Sequence, residues 1–245
     1  MIIKYLKNSL KSILNKYGYE IIKKNKSKYN KYDTPSKELI DTLIASKGIL
    51  HIGGHRGDET HIYNWFGKNV IWFEANPEIF EHLKKNVSKF NGQTALNSLL
   101  LDKAGQDKEF FISSNDAASS SIFHFGELST DNKKKIWFNK NLFMKKKIML
   151  KSNTLDQVII ENNININNFD HWVIDIQGSE LLFLAGSENS LRHCKSIYIE
   201  ISQGEVYKNG AQFNEIKKYL NDKNFFEVNS PKELHCDLLF LRKQT

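Results

Sequence analysis

The sequence predicts an α/β protein, a mainly parallel sheet with helices on both faces. Three observations carry that prediction. Short runs rich in β-branched and aromatic residues alternate with amphipathic stretches from residue 37 to the end. Several of these runs stop at glycines or at a single carboxylate, as strands do where they leave a core. The chain has 245 residues, 40% hydrophobic and 26% charged, which suits one α/β domain.

Each element has its own warrant. KELIDTLIAS has helical periodicity, and GILHIGG is an apolar run halted by glycines. GDETHIYNWFG predicts a helix of two to three turns, and NVIWFEAN a strand. Asn76-Pro77 is a helix cap with proline at the first helical position. The helix it opens, PEIFEHLKKNVSKF, carries Ile79, Phe80, Leu83 and Val87 on one face. TALNSLLL predicts a third strand, EFFIS a further strand, and KIMLKSNTLDQVI a strand running into a helix. DHWVIDIQG reads as a buried strand and SELLFLAGSENSLRH as the helix after it. KSIYIEIS is a strand and FNEIKKYLNDKN a helix. NFFEVNS and HCDLLFLRK predict a closing hairpin, so one of its strands runs antiparallel.

Composition excludes several classes. No apolar run approaches the roughly 20 residues that a bilayer span needs. Cys194 and Cys236 are too few for a disulfide framework or a four-thiolate zinc site, and two free thiols suit a reducing cytoplasm. The net charge of +7 is unevenly placed. Residues 1–32 hold nine lysines and one glutamate, a net +8, leaving 26 basic and 27 acidic side chains elsewhere. With a nearly neutral body and three arginines, no nucleic-acid partner is expected. In the first segment Ile2, Ile3, Leu6, Leu10, Ile13, Leu14 and Tyr17 share one helical arc, and Lys4, Lys7 and Lys11 another. Lysines interrupt its apolar residues, so no signal peptide is expected. Such a helix suits an anionic membrane surface, and equally packing on the domain or on a second copy. Residues 23–36 read as a linker. The expected organisation is a basic N-terminal helix and linker over 1–36 and one domain over 37–245.

In parallel sheets, ligands bind beyond the carboxyl ends of the strands. The first strand ends in His51-Ile52-Gly53-Gly54-His55-Arg56-Gly57, which matches neither G-x-x-x-x-G-K-[ST] nor G-x-G-x-x-G. Asp58 and Glu59 follow directly, so the loop repels a phosphate and tolerates a cationic centre. The second strand ends at Glu74, 21 residues after Gly53, placed to accept both hydrogen bonds of a ribose diol. Later strands end at Asp175 and Glu200, which offer a base, a metal pair or hydrogen-bond acceptors.

With these residues in view, the chain resembles the FkbM family of S-adenosylmethionine-dependent methyltransferases. The matching stretches are ILHIGGHRGDET, VIWFEANPEIFEHLKKNV, LLLDKAGQ, the serines of AASSSIF, SNTLDQVI, WVIDIQGSELLFLAGSENSL and IYIEIS, over roughly residues 48 to 202. DIQGSE with its downstream Leu-x-Gly is the most specific. Gly54 departs from the alanine of many members. The resemblance implies the class I methyltransferase fold, a Rossmann-like seven-stranded sheet with an antiparallel last strand. It implies that Gly53, Gly54, His55 and Gly57 frame the methionine part of the cofactor. Glu74 would hold the ribose hydroxyls with Asn76 beside the adenosine, and Leu101 and Asp102 would lie near the adenine. Asp175 and Gln177 would face the amino-acid moiety and the methyl group. Ser119, Ser120 and Ser121 suit the lining of the cofactor or acceptor pocket, and equally a polar loop.

The expected reaction is O-methylation of a sugar, nucleotide-linked or in a surface glycan such as a capsular polysaccharide precursor, leaving S-adenosylhomocysteine as product. A hydroxyl acceptor needs a base. Asp175 is the first candidate, Glu200 the second, and His55 the best placed of His55, His124, His171 and His235. His171 begins its strand, at the wrong end of the sheet. Asp175 and Glu200 lack a convincing third ligand, so no metal is assigned. Phe123, Phe125, Trp137, Phe138 and Phe143, within residues 113–147, suit an acceptor site or a small apolar subcore. The competing readings are an NAD(P)-dependent oxidoreductase and an N-methyltransferase acting on another small molecule. The expected location is the cytoplasm, with the basic segment at the inner membrane surface or in a homo-oligomer contact.

Overall fold

A computed structural model describes residues 35–130 and 142–243. The chain divides into two units, Met1–Ile40 and Asp41–Thr245. The basic helix expected over residues 1–32 lies outside the described residues. Helix α1 (Lys37–Ala45) crosses the division between the units.

The second unit is built on a seven-stranded sheet. Strand β1 (Gly48–Ile52) leads through helix α2 (Thr60–Trp65) to β2 (Asn69–Glu74), and α3 (Pro77–Val87) leads to β3 (Gln93–Asn97). The Asn76 side chain accepts from the Glu78 amide at the start of α3, with Pro77 at the first position, as the sequence predicts. The short β4 (Leu99–Leu100), β5 (Asp107–Ser113) and β6 (Met144–Asn153) form a separate three-stranded sheet in the order β4-β6-β5. Between β5 and β6 lies α4 (Glu127–Thr130), and after β6 comes α5 (Leu155–Glu161). The main sheet resumes with β7 (His171–Ile174), followed by α6 (Glu180–Ala185), α7 (Glu188–Leu191), β8 (Ser196–Ser202) and α8 (Phe213–Asp222). It closes with β9 (Phe225–Glu227) and β10 (His235–Arg242). The order is β3-β2-β1-β7-β8-β10-β9, with β10 antiparallel to both neighbours and the other pairs parallel. This is the expected mainly parallel class I arrangement, with the closing hairpin supplying the one reversed strand.

Alternation along the strands explains the layers. Leu50, Ile52, Ile71, Phe73, Trp172, Ile174, Ile197 and Ile199 point to one face and join the core with residues of α5, α6 and α8. His51 and Trp72 point to the other face, where Tyr63 of α2 lies 5.3 Å from the Trp72 ring. In α3, Ile79, Leu83 and Val87 are buried, while Phe80 is only partly covered.

Two predicted elements are divided. TALNSLLL breaks at Ser98, so that Leu99 and Leu100 pair with Ser152 and Asn153 in the smaller sheet. The single helix predicted over SELLFLAGSENSLRH breaks at Gly186-Ser187 into α6 and α7. Gly186 passes so close to the chain at Leu101 that any Cβ would collide with the Leu101 carbonyl oxygen.

Candidate active site

Strands β2, β1 and β7 end side by side: Ile52 pairs with Phe73 on one flank and Ile174 on the other. Beyond these ends lies a cavity of about 240 Å³. Gly53 begins its wall at a φ of +86°, a conformation that disfavours side chains. A Cβ there would strike the Asp175 carbonyl oxygen. The Gly53 and Gly54 amides both donate to the Phe73 carbonyl at 2.9 Å, and the Asp175 amide donates to the Ile52 carbonyl at 2.9 Å. The bend is thereby tied to both neighbouring strand ends.

Glu74 enters the cavity from the end of β2, only 8% exposed. Its two oxygens are fixed from behind. Oε1 accepts from the Asn76 amide at 2.7 Å, and Oε2 accepts from the His55 amide at 2.9 Å. Each carboxylate oxygen keeps acceptor capacity for a ligand. Burial raises the Glu74 pKa to about 7 against the pull of those amides, and the charge of Asp175 adds to the rise.

Asp175, just past β7, also lines the cavity. Its partner is Gln177, held at a φ of +57° in the turn between β7 and α6. The Gln177 amide nitrogen donates to Asp175 Oδ1 and, at 2.8 Å, to Glu200 Oε2. Its carbonyl oxygen accepts from the Tyr207 hydroxyl. The turn is braced twice: Ser121 Oγ donates to the Gln177 carbonyl at 2.7 Å, and Glu180 Oε1 accepts from the Gly178 and Ile176 amides at 3.0 and 3.3 Å. Burial, and then the charge of Glu200, hold the Asp175 carboxyl well above its usual range. Glu200 is held up first by burial and then by Glu180 and Asp237. His235 Nε2 lies 2.9 Å from Glu200 Oε1.

Several of the expected site residues lie off the cavity wall. Glu200 does not line the cavity and reaches it through the Gln177 amide. Among the described residues, no group of three or more His, Cys, Asp or Glu side chains is disposed to hold a metal. His55 lines the cavity, and its ring Nε2 lies 3.0 Å from the Asp116 carbonyl oxygen.

Gly57, Asn76, Leu101 and Asp102 do not line the cavity. Gly57 packs under α3, where a Cβ would lie 2.8 Å from Leu83 Cδ1. Asn76 spends its side chain on the helix cap and its amide on Glu74. Leu101 is fully buried beside Leu99, Phe110 and Ile112, because the break at Ser98 carries this stretch into the smaller sheet. Ser98, Leu99 and Leu100 line the cavity instead. Ser120 lines it with its hydroxyl already donating to the Ala117 carbonyl at 2.7 Å.

Of the aromatic stretch, Trp137 and Phe138 lie outside the described residues. Phe143 is 55% exposed, Phe125 packs on the Tyr207 ring at 5.6 Å, and Phe123 lines a second cavity with Leu181, Leu182 and Glu205. His171 is buried at the start of β7, its Nδ1 2.7 Å from Ser196 Oγ, at the far end of the strand from Asp175. Sequence reasoning did not single out Glu180 or Tyr207. The Glu180 signal was present in DIQGSE, whereas Tyr207 sits in a loop with no pattern to mark it.

Comparison with known proteins adds a family. The profile of the family described as Methyltransferase FkbM domain matches residues 51–226. No curated protein matches significantly. Among solved structures, the chain is similar to a SAM-dependent methyltransferase from Aquifex aeolicus. That likeness has 12% identity and a TM-score of 0.46, and covers 89% of this chain and 98% of that one. The chain is also similar to magnesium protoporphyrin IX methyltransferase from Synechocystis PCC 6803 with bound SAM. There the identity is 9% and the TM-score 0.43, over 83% of this chain and 74% of that one.

Proposed function

The chain belongs to the FkbM methyltransferase family, and from that premise we propose that it moves the methyl group of S-adenosylmethionine to a hydroxyl oxygen of a sugar. One observation carries the choice of methyl donor. The charged side chains that line the cavity are Asp58, Glu59, Glu74 and Asp175, with no Lys or Arg among the lining residues. Such a lining attracts a sulfonium and an ammonium and repels the diphosphate of a dinucleotide. Glu74, its two oxygens set in position, suits the paired hydroxyls of a ribose. Gly53 lets the β1 bend lie against the Asp175 backbone, which a side chain at Gly53 would push away from the cavity wall.

S-adenosylmethionine supplies, when bound, a methyl carbon activated by its sulfonium neighbour. Asp175 accepts the proton that the acceptor hydroxyl loses as it attacks. Its burial makes it a stronger base than an exposed carboxylate. Gln177 holds it at the cavity wall. Support for a sugar acceptor comes from the family resemblance and from this base, suited to a hydroxyl. We place the reaction in the cytoplasm at the inner membrane surface, supported by two free thiols and the net +8 of residues 1–32.

Two measurements test the reading. Calorimetry is expected to find binding of S-adenosylhomocysteine and none of NAD; the reverse result overturns the choice of donor. Purified protein with labelled methyl donor and a panel of sugars and nucleotide sugars is expected to yield a product heavier by one CH₂. Transfer to amines alone overturns the hydroxyl acceptor.

A further inference from the structure

We propose that Tyr207 is a positioning residue for the Asp175–Glu200 pair, acting through the Gln177 amide. The inference rests on the reading of Asp175 as the proton acceptor. An amide fits its space either way round, and its neighbours decide the orientation. With nitrogen inward, Gln177 donates to both carboxylates. With oxygen inward, it would face two carboxylates with no donor of its own. Tyr207 favours the first arrangement by donating its hydroxyl to the Gln177 carbonyl oxygen, and Ser119 O stands 3.4 Å from the same hydroxyl. Burial holds the Tyr207 phenol pKa well up, so it remains a donor while the enzyme works.

Tyr207 is 2% exposed and does not line the cavity. Its ring rests against Gly178 and Phe125 and its Cβ against Gly210, contacts a phenylalanine keeps. The Gln177 backbone is fixed separately by Ser121. Replacing Tyr207 with phenylalanine therefore deletes one donor and leaves a buried amide oxygen without it, which favours rotation of the amide. Asp175 and Glu200 then lose hydrogen bonds that stabilise their charged forms. The surroundings magnify that loss, since the groups facing the pair are Glu74 from β2, Glu180 from α6, and His235 and Asp237 from β10. Three of these four are acidic.

The test compares the full-length wild type with Tyr207→Phe. Carboxyl ¹³C resonances of Asp175 and Glu200 are followed against pH, and kcat is measured over the same range. The titration midpoint is expected to move up by about one pH unit, a tenfold change in proton affinity. The acid limb of kcat should follow it. A purely structural role would lower activity evenly across pH. Gln177→Met, which deletes the amide, is expected to raise the midpoint in the same direction. A midpoint that stays put in either variant overturns the inference, whatever the activity. A midpoint that moves in protein that methylates no acceptor leaves the positioning intact and removes the proposed reaction.

Discussion

Glu74 ends a strand with both oxygens taken up by backbone N–H groups, and this fixes what a substitution does. In Glu74→Gln the amide nitrogen must face the Asn76 or the His55 amide, donor against donor. Affinity for S-adenosylhomocysteine is expected to fall about 30-fold, roughly 2 kcal/mol, as read by calorimetry. An unchanged affinity would mean that the ribose lies elsewhere. Glu74 and Asp175 were legible in the sequence for one reason: a lone carboxylate that closes an apolar run has to meet a ligand or a donor. Glu180 was harder to read, because its work is to fold back onto the Gly178 and Ile176 amides from the first turn of α6. Tyr207 was illegible. It reaches Gln177 only because the chain after β8 returns across the turn, and no local periodicity records that return.

The boundaries of elements show the same limit. Hydrophobic periodicity located the strands of the main sheet, since each is an apolar run with polar ends. It could not show that Leu99 and Leu100 leave that sheet, because their apolar character suits either one. With that boundary Leu101 and Asp102, expected near the adenine, fall outside the lining of the cavity. The same stretch explains the break between α6 and α7. The Leu101 backbone presses against Gly186, which lacks the Cβ that would strike it. By helix propensity alone, Gly186→Ala would stabilise the chain by about 1 kcal/mol. The contact reverses the sign: Gly186→Ala is expected to lower the free energy of urea unfolding by about 2 kcal/mol or more, through displaced backbone. A variant as stable as the wild type would mean that α6 and α7 join without penalty.

Across the whole molecule, the buried acids around the site set how stability responds to pH. Burial raises Glu74 and Glu180 to about 7, above their ordinary 4.5, so the folded chain keeps protons that the unfolded chain has released. Their contribution is full below about pH 4.5 and is lost as pH rises through about 7. Two buried histidines act in the opposite sense. His51 is pushed down to about 3 and His171 to about 4, so they stay neutral when folded and penalise folding as pH falls through about 6.5. Above about pH 7.5 these histidines are silent and the acids remain. Between about pH 6.5 and about pH 8, Glu74 and Glu180 should each lose about 1 kcal/mol of stabilisation, while the two histidines together return about as much as one of them loses. Asp175 and Glu200, also held above their usual range, add to the loss. Urea unfolding of the ligand-free protein is therefore expected to show stability lower at the upper pH by about 1 kcal/mol or more. Glu74→Gln, with no proton to lose, should shrink that difference by the Glu74 share. A flat or rising profile would mean that these carboxyls are ionised in the free protein. The acidic edge of the sheet would then carry full negative charge before any cationic ligand arrived.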